Sequence, residues 1–400
     1  MSQPNSSAAP AELPWLLLGA ACWGTFVVTG SGMIRAPFLL EMSRDLTSSL
    51  SAVANLFSLT ALAWGIASLL AGTASDRWGR RPLLMGAHLA LIVGTTGVAL
   101  SRSYALVAFW TLVAGAGGGS HMGVIFAAVS DRVAENRRGR ALGWIMTGQS
   151  LALVVGVPLA TWIGTFSDWR GVMLCVVGAD LLVIAGLWVT LPPGRRAGTA
   201  AHPPKLRITL PENRLLALLA AGITERVCFG IVAVYFATLL QLRYRLDLAQ
   251  LTVPLAVMAA GNLAGNAIGG RLADSVRERE LGFAVASLAT GLVACALFAW
   301  DFGLVACVAL GFVYAFVNAL GRPAVVAVLS GVPSERRGAL LGLNITCASL
   351  GWIAAAAIGG LLIEHFGVAS LALFTGIMAV LGAALAYLSR QLARRAMFPS

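Results

Sequence analysis

Between residues 56 and 83 the chain passes from one apolar run of membrane length into another through a turn holding Gly72, Asp76, Arg77, Gly79, Arg80, Arg81 and Pro82. A backbone that crosses hydrocarbon twice with so short a connection forms a helical hairpin, because lipid offers no partner to unpaired peptide groups. The arginines predict that this turn faces the cytoplasm, the side on which positive loops are retained.

The same pattern fills the chain. Of 400 residues, 58% are hydrophobic and 11% charged, with a mean hydropathy of +0.83. That is too apolar for a soluble globule and too long for a single anchor. Runs long enough to cross about 30 Å of hydrocarbon fall at 15–38, 52–74, 83–100, 103–127, 141–166, 171–191, 213–241, 251–272, 281–299, 303–329, 339–363 and 368–389. No period-two alternation of the barrel kind accompanies them, so the expected fold is an all-α membrane protein of twelve transmembrane helices.

Arg and Lys set the orientation. With both termini cytoplasmic, 20 of the 28 fall in inner loops, five (Arg44, Arg102, Arg170, Arg243, Arg245) in outer loops, and three (Arg35, Arg226, Arg322) within spans. The net charge of +11 is thus a topological signal. No nucleic-acid partner is expected, since no binding motif or aromatic platform accompanies it. Residues 1–13 lack the Lys and Arg of a signal-peptide start, so the first helix is expected to remain in the mature chain. The six cysteines lie in apolar spans without a CxxC and read as packing residues, neither disulfides nor metal ligands.

The second half repeats the first. Gly72 to Asp76 recurs 198 positions later as Gly270 to Asp274, and Arg137-Arg138-Gly139 with Gly143 recurs 199 positions later as Arg336-Arg337-Gly338 with Gly342. Two motifs at nearly one offset predict two six-helix bundles, 1–191 and 213–400, joined by a polar Pro- and Arg-rich cytoplasmic linker at 192–212. Parallel repeats of this kind place a substrate site at the midplane between the halves and alternate access by rocking.

The Gly72, Asp76, Arg77, Gly79, Arg80, Arg81 loop resembles the signature loop of the major facilitator superfamily, and the resemblance extends over the whole chain in helix count, loop pattern and repeat offset. Gln149 through Pro158, followed by Asp168-Trp169-Arg170, looks most like the twelve-helix drug:proton antiporter branch, which also holds sugar and metabolite exporters. The resemblance implies a cytoplasmic gate in which Arg80 pairs with Asp76 and Asp131 and closes the inner side in the outward-facing state. In the second half Glu278 stands where the counterpart of Arg80 would be and Ser330 replaces Asp131, so the first-half cluster is expected to do more of the gating. One feature departs from that branch: Thr111, four residues before Gly115, stands where proton-coupled drug exporters often carry an arginine in the fourth helix.

Ionisable residues within spans are costly and are functional candidates. Arg35, Glu225, Arg226 and Arg322 fall on the first, seventh, seventh and tenth helices, with His121 on the fourth; the family resemblance makes these cavity-lining helices. Arg35 and Arg226 occupy related positions in the two halves and read either as a fork for a carboxylate or phosphate, as in organophosphate:phosphate antiporters of the superfamily, or, for Arg35, as an interfacial snorkel. Glu225 reads as a proton-coupling carboxylate or half of a structural ion pair. Arg322, before Pro323, reads as a cavity charge or a cap on a bend. His121 follows a glycine-rich run and by default is a satisfied packing histidine; Asp180, on the peripheral sixth helix, reads as a packing or lipid-interface feature, with a coupling role as the alternative. Asn262 and Asn266 share a helical stripe and bond either to substrate or across helices. Gly115, Gly119 and Gly123, and likewise Gly261, Gly265 and Gly269, are close-packing faces expected to slide as the halves rock.

These residues select a function class. Lys205, the single lysine, is followed by Leu, so no phosphate loop of an ATP-driven pump exists. His88, His121, His202 and His365 are scattered with no metalloenzyme motif, and no filter loop repeats as a channel requires. The expected protein is a secondary active transporter, not an enzyme, exporting a small organic molecule with proton coupling across a plasma or inner membrane, monomeric and without cofactor. The alternative is an organic-anion carrier built on Arg35 and Arg226. Three arginines against one glutamate on the cavity helices favour a neutral or anionic substrate.

Overall fold

A computed structural model describes residues 14–134, 137–191, 212–275, 278–332 and 334–397, except the side chains of 274, 334–339, 341 and 395–397. The expected linker thus lies outside the described residues save for Glu212, as do residues 1–13 and the side chains of Asp274, Arg336 and Arg337. Twelve helices among the described residues are long and apolar enough to cross a membrane.

The first half comprises α1 (Trp15–Met33), a 3₁₀ turn (Ala36–Phe38), α2 (Leu39–Asp45), α3 (Leu50–Trp78), α4 (Arg80–Leu100), α5 (Tyr104–Ser130), α6 (Arg138–Leu151), a π turn (Ala152–Gly156), α7 (Val157–Ile163) and α8 (Trp169–Thr190). The second comprises α9 (Asn213–Tyr244), α10 (Leu248–Ser275), α11 (Arg279–Ala294), a π turn (Cys295–Ala299), α12 (Leu304–Ser330), α13 (Ser334–Phe366) and α14 (Ser370–Met397).

Local chemistry explains the interruptions. Pro37 has no N–H to return to the preceding turn, and the first span tightens there into the 3₁₀ turn before resuming as α2. Pro158 frees a carbonyl one turn earlier, and the π turn just before it takes up the misfit. At the second π turn the Arg243 guanidinium donates to the freed carbonyls of Leu297 (3.0 Å), Phe298 (2.6 Å) and Trp300 (2.9 Å). The hairpin between α3 and α4 turns on Gly79, whose φ of 94° and ψ of 153° only glycine adopts without strain.

Helices pack most closely on glycine. On α5, a Cβ at Gly115 would lie 3.0 Å from the Thr60 carbonyl of α3, and at Gly119 and Gly123 it would overlap the carbonyls of Trp64 and Ser68. In the second half, Gly261, Gly265 and Gly269 of α10 rest on the carbonyls of Phe312, Phe316 and Leu320 of α12. Both faces are buried inside a half. The close-packing part of the expectation fits these contacts, which lie within each half, and backbones this close interlock.

One apolar core joins the halves at the end remote from the Asp76 loop, with Phe38, Leu39, Met42 and Phe57 of the first half in the same cluster as Tyr235, Phe236, Leu240 and Leu251 of the second. There Ser58 Oγ donates to the Ile353 carbonyl (3.1 Å) and Gln241 Nε2 to that of Pro37 (3.2 Å). At the Asp76 end the core divides in two. Leu84, Val124, Ile125, Ile145 and Val183 cluster within the first half, and Leu218, Phe283, Leu329 and Ala386 within the second.

Candidate substrate and coupling site

Glu225 lies near the middle of the 32-residue α9, and its side chain is only 5% exposed. Two cations converge on it. Arg322 of α12 donates to Oε1 through Nη2 (2.9 Å) and Nε (3.3 Å), and Arg226, its neighbour on α9, places Nε 3.4 Å from Oε2. The Arg322 guanidinium also sits 4.8 Å above the Phe229 ring, which meets Trp352 of α13 edge to face. Arg226 packs against Gly351 of α13, where a side chain would collide with it.

A lone carboxylate at this depth would be expelled or neutralised. Two guanidiniums hold it in place, and one positive charge is left over for which this cluster supplies no partner. Protonating Glu225 releases both arginines for another acceptor; a bound anion competes with Glu225 for the same donors. The arrangement can therefore exchange a proton against a ligand.

Arg35 stands apart from this cluster. It is buried in the first half, donating to Thr60 (2.5 Å) and Thr111 (3.2 Å) with its guanidinium 5.2 Å from the centre of the Phe57 ring. Its Nε has no partner, and it lines a cavity of about 20 Å³ with Ser31, Trp64 and Thr95. Arg35 bonds Thr60 and Thr111 of its own half while Arg226 contacts Glu225, so the two arginines share no partner among the described residues. Nor does Arg35 snorkel: its side chain turns into the bundle, and Thr111 meets the guanidinium that follows α1 where a fourth-helix arginine was missing. Arg322 is spent on Glu225 and not on the bend at Pro323.

Asn266 donates to Asn262 (3.1 Å) one turn away on the same helix, with no bond across helices among the described residues; the Asn262 amide nitrogen is buried without a partner there. His121 bonds His88 (2.9 Å) and Thr25 (3.3 Å), and His88 bonds Asp180 (2.7 Å). Asp180 is 1% exposed, so the lipid-interface reading is corrected. Sequence reasoning met His88 only as one of four scattered histidines and did not count it among the ionisable span residues; its place inside an apolar span was the available signal.

At the loop between α3 and α4, Arg80 lies between Asp76 (2.8 Å) and Asp131 (3.2 Å) and also bonds Ser75. Arg81 covers the Trp188 ring at 4.1 Å, Arg77 is exposed, and Gly72 has no close neighbour at its Cβ position. All of these groups belong to the first half, so the cluster staples α3, α4 and α5 and does not bridge to the second half. Glu278 instead binds Arg390 and Arg394 of α14, and Ser330 bonds its own helix at Ala327.

The Major Facilitator Superfamily family model matches residues 21–330. The chain belongs to this superfamily. Within it, the chain is 26% identical over 359 residues to a chloramphenicol resistance protein of Streptomyces lividans, covering 88% of this chain and 90% of that one. It is 25% identical over 352 residues to the inner membrane transport protein YdhP of Escherichia coli K12, covering 88% and 89%. Its fold is that of a bacterial homologue of the human lysosomal transporter Spinster, solved inward-facing and unoccupied, with a TM-score of 0.78 and 13% identity over 96% of this chain and 98% of that one. The superfamily assignment makes this a multi-pass transporter of the cell membrane that handles small molecules.

Proposed function

We propose that the protein exports a small organic molecule, neutral or anionic, in exchange for protons, with Glu225 carrying the proton and Arg226 and Arg322 receiving the polar end of the substrate. The observation that carries this is one buried carboxylate held by two arginines from the seventh and tenth membrane helices. With both termini cytoplasmic, as the arginine distribution favours, the divided core lies on the inner side and the continuous core on the outer, an inward-facing form. Similarity to a chloramphenicol resistance protein supports a neutral, polar substrate of that size. The Asp76, Arg80, Asp131 staple then shapes the inner rim of the first half. The protein acts as a monomer, with its path between its own two halves.

The test is export of radiolabelled chloramphenicol from everted vesicles under an imposed pH gradient. Uptake that collapses with the gradient and is lost in Glu225→Gln supports the reading. Gradient-driven uptake that survives Glu225→Gln removes Glu225 from coupling.

The organic-anion reading draws on the cation excess of the same cluster. Its arginine pair becomes Arg226 and Arg322, because Arg35 is bound to Thr60 and Thr111. Benzoate and glycerol phosphate that raise the melting temperature of the wild type but not of Arg226→Ala would favour it over the neutral substrate.

A further inference from the structure

A second buried chain of titratable groups runs through the first half, where nothing in the Glu225 site reaches. Asp180 of α8, His88 of α4, His121 of α5 and Thr25 of α1 are joined in series, each no more than 1% exposed. They lie about 12 Å in from the Asp76 end, since His88 is eight residues into α4 at 1.5 Å each. Close packing makes the chain possible: Gly24 leaves the room beside the His121 ring that a Cβ would fill, and Gly117 lets α5 rest against Ala87 and Leu91 on either side of His88.

Hydrogen-bond direction fixes the proton count. The Thr25 hydroxyl donates to the Ala21 carbonyl (2.9 Å), so it accepts from His121 Nε2 (3.3 Å). His121 Nδ1 is then a lone pair and accepts the His88 Nε2 proton (2.9 Å). That leaves His88 Nδ1 facing Asp180 Oδ1 at 2.7 Å with a single proton between them. The other carboxyl oxygen, Oδ2, is buried with no partner. A second proton fits on Oδ2, giving a carboxylic acid beside an imidazolium; removing the shared proton leaves a carboxylate beside a neutral ring.

Either change puts a net charge in a place without a counter-charge. Apart from the trio, the titratable groups on the packed helices are engaged or remote. On α3 and α4, Arg80 holds Asp76 and Asp131, Arg81 covers Trp188 and Arg77 is exposed. Arg170 of α8 holds Asp45, and Arg140 of α6 stands over Trp15, with Arg138 at that helix's start. Cys22 of α1 adjoins Gly148, Cys175 is exposed, and Tyr104 begins α5. A purely structural network gains nothing from an unpaired buried carboxyl oxygen, whereas a proton carrier needs one.

We propose that Asp180, His88 and His121 form a proton-binding site separate from Glu225, which gains or loses one proton only when α1 moves away from α5 and α8. The imidazole pair passes the proton from Asp180 toward Thr25, which like His121 sits on a helix expected to line the central path. Because loading charges a closed pocket, exchange with water is tied to the movement that opens it.

The test is infrared difference spectroscopy of the purified protein in proteoliposomes, titrated from mildly acid to mildly alkaline pH with no substrate and no gradient. A carboxylic-acid carbonyl band that titrates reversibly, shifts in His88→Gln and is lost in Asp180→Asn is the expected result. A wild-type protein with no titrating carboxyl band, or one whose band His88→Gln leaves unmoved, overturns the proposal. Should Asp180→Asn fail to assemble, His121→Gln serves: cutting the relay at its far end should slow the pH-jump response of the band without removing it, and an unchanged rate counts against the site. Since no transport is measured, failure at Glu225 would leave this outcome untouched.

Discussion

Arg322 reaches a single oxygen of Glu225 with two of its nitrogens, Nη2 at 2.9 Å and Nε at 3.3 Å, across the contact between α12 and α9. The second oxygen is thereby left to Arg226 at 3.4 Å, so both cations are balanced on one side chain.

Truncating that side chain strands two partly buried guanidiniums. Glu225→Ala should lose about 3–5 kcal/mol, the range for removing one partner of a buried pair. Glu225→Gln keeps the hydrogen-bond acceptor and should lose less. Chemical denaturation in detergent, read by tryptophan fluorescence, distinguishes the two.

Arg322 is held by geometry as well as charge. Arg322→Lys keeps the cation but not the planar group above Phe229, and should weaken the contact by about 0.5–2 kcal/mol. A double-mutant cycle with Phe229→Leu should show the loss to be shared between the two residues. Strict additivity would place the effect elsewhere.

The glycine faces predict a contrast between positions. Gly119→Ala and Gly265→Ala drive a methyl into a neighbouring backbone carbonyl and should each destabilise by about 1–3 kcal/mol. Gly178→Ala meets nothing within 4 Å and should leave the melting temperature unchanged or slightly raised.

At the joined end, the Cβ position of Gly360 lies 3.2 Å from Ser51 Cβ, close to the roughly 3.5–4.5 Å of disulfide pairs. Ser51→Cys/Gly360→Cys, in a background with Cys175 replaced, should cross-link under mild oxidant. The bond should stop transport and reductant should restore it. Undiminished transport by the cross-linked form would mean that this end never opens.

Outside the membrane-spanning segments, Arg390 and Arg394 hold the Glu278 carboxyl below its usual range. A depressed carboxylate stabilises above the unfolded pKa, about 4.3 for Glu, and the contribution is lost as pH falls through the lower folded value. Hydrogen exchange at the end of α14 should therefore accelerate on acidification below about pH 4. In Glu278→Gln it should be fast throughout.

Much of the fold was legible because lipid imposes length and charge on a sequence. The runs at 83–100 and 103–127 anticipate α4 and α5 within a few residues, since both ends are marked by Arg, Pro or Ser. The ionisable residues of the spans were legible as a set but not in their pairings. Nothing in the spacing of Glu225 and Arg322, 97 residues apart, says that they meet, or that Arg35 turns toward Thr60 and Thr111. His88 shows the limit most clearly. Helices buried on several sides carry no single apolar stripe, so which flank holds a polar group, and what stands opposite, depends on tertiary packing.

The glycines of α5 and of α10 sit on opposite members of one recurring helix pair: in the first half the fourth membrane helix yields to the second, and in the second half the eighth yields to the tenth. What the repeat preserves is the closeness of two backbones, whichever of them is bare. The α3–α5 and α10–α12 pairs are thus keyed, with side-chain-free surfaces meshed against carbonyls at successive turns, and the distances within each pair should change little over a working cycle. The freedom that transport requires is left to the looser contacts, those of α1 on its neighbours and those across the seam between the halves, where Ser58 and Gln241 reach single carbonyls through bonds that can be unmade one at a time.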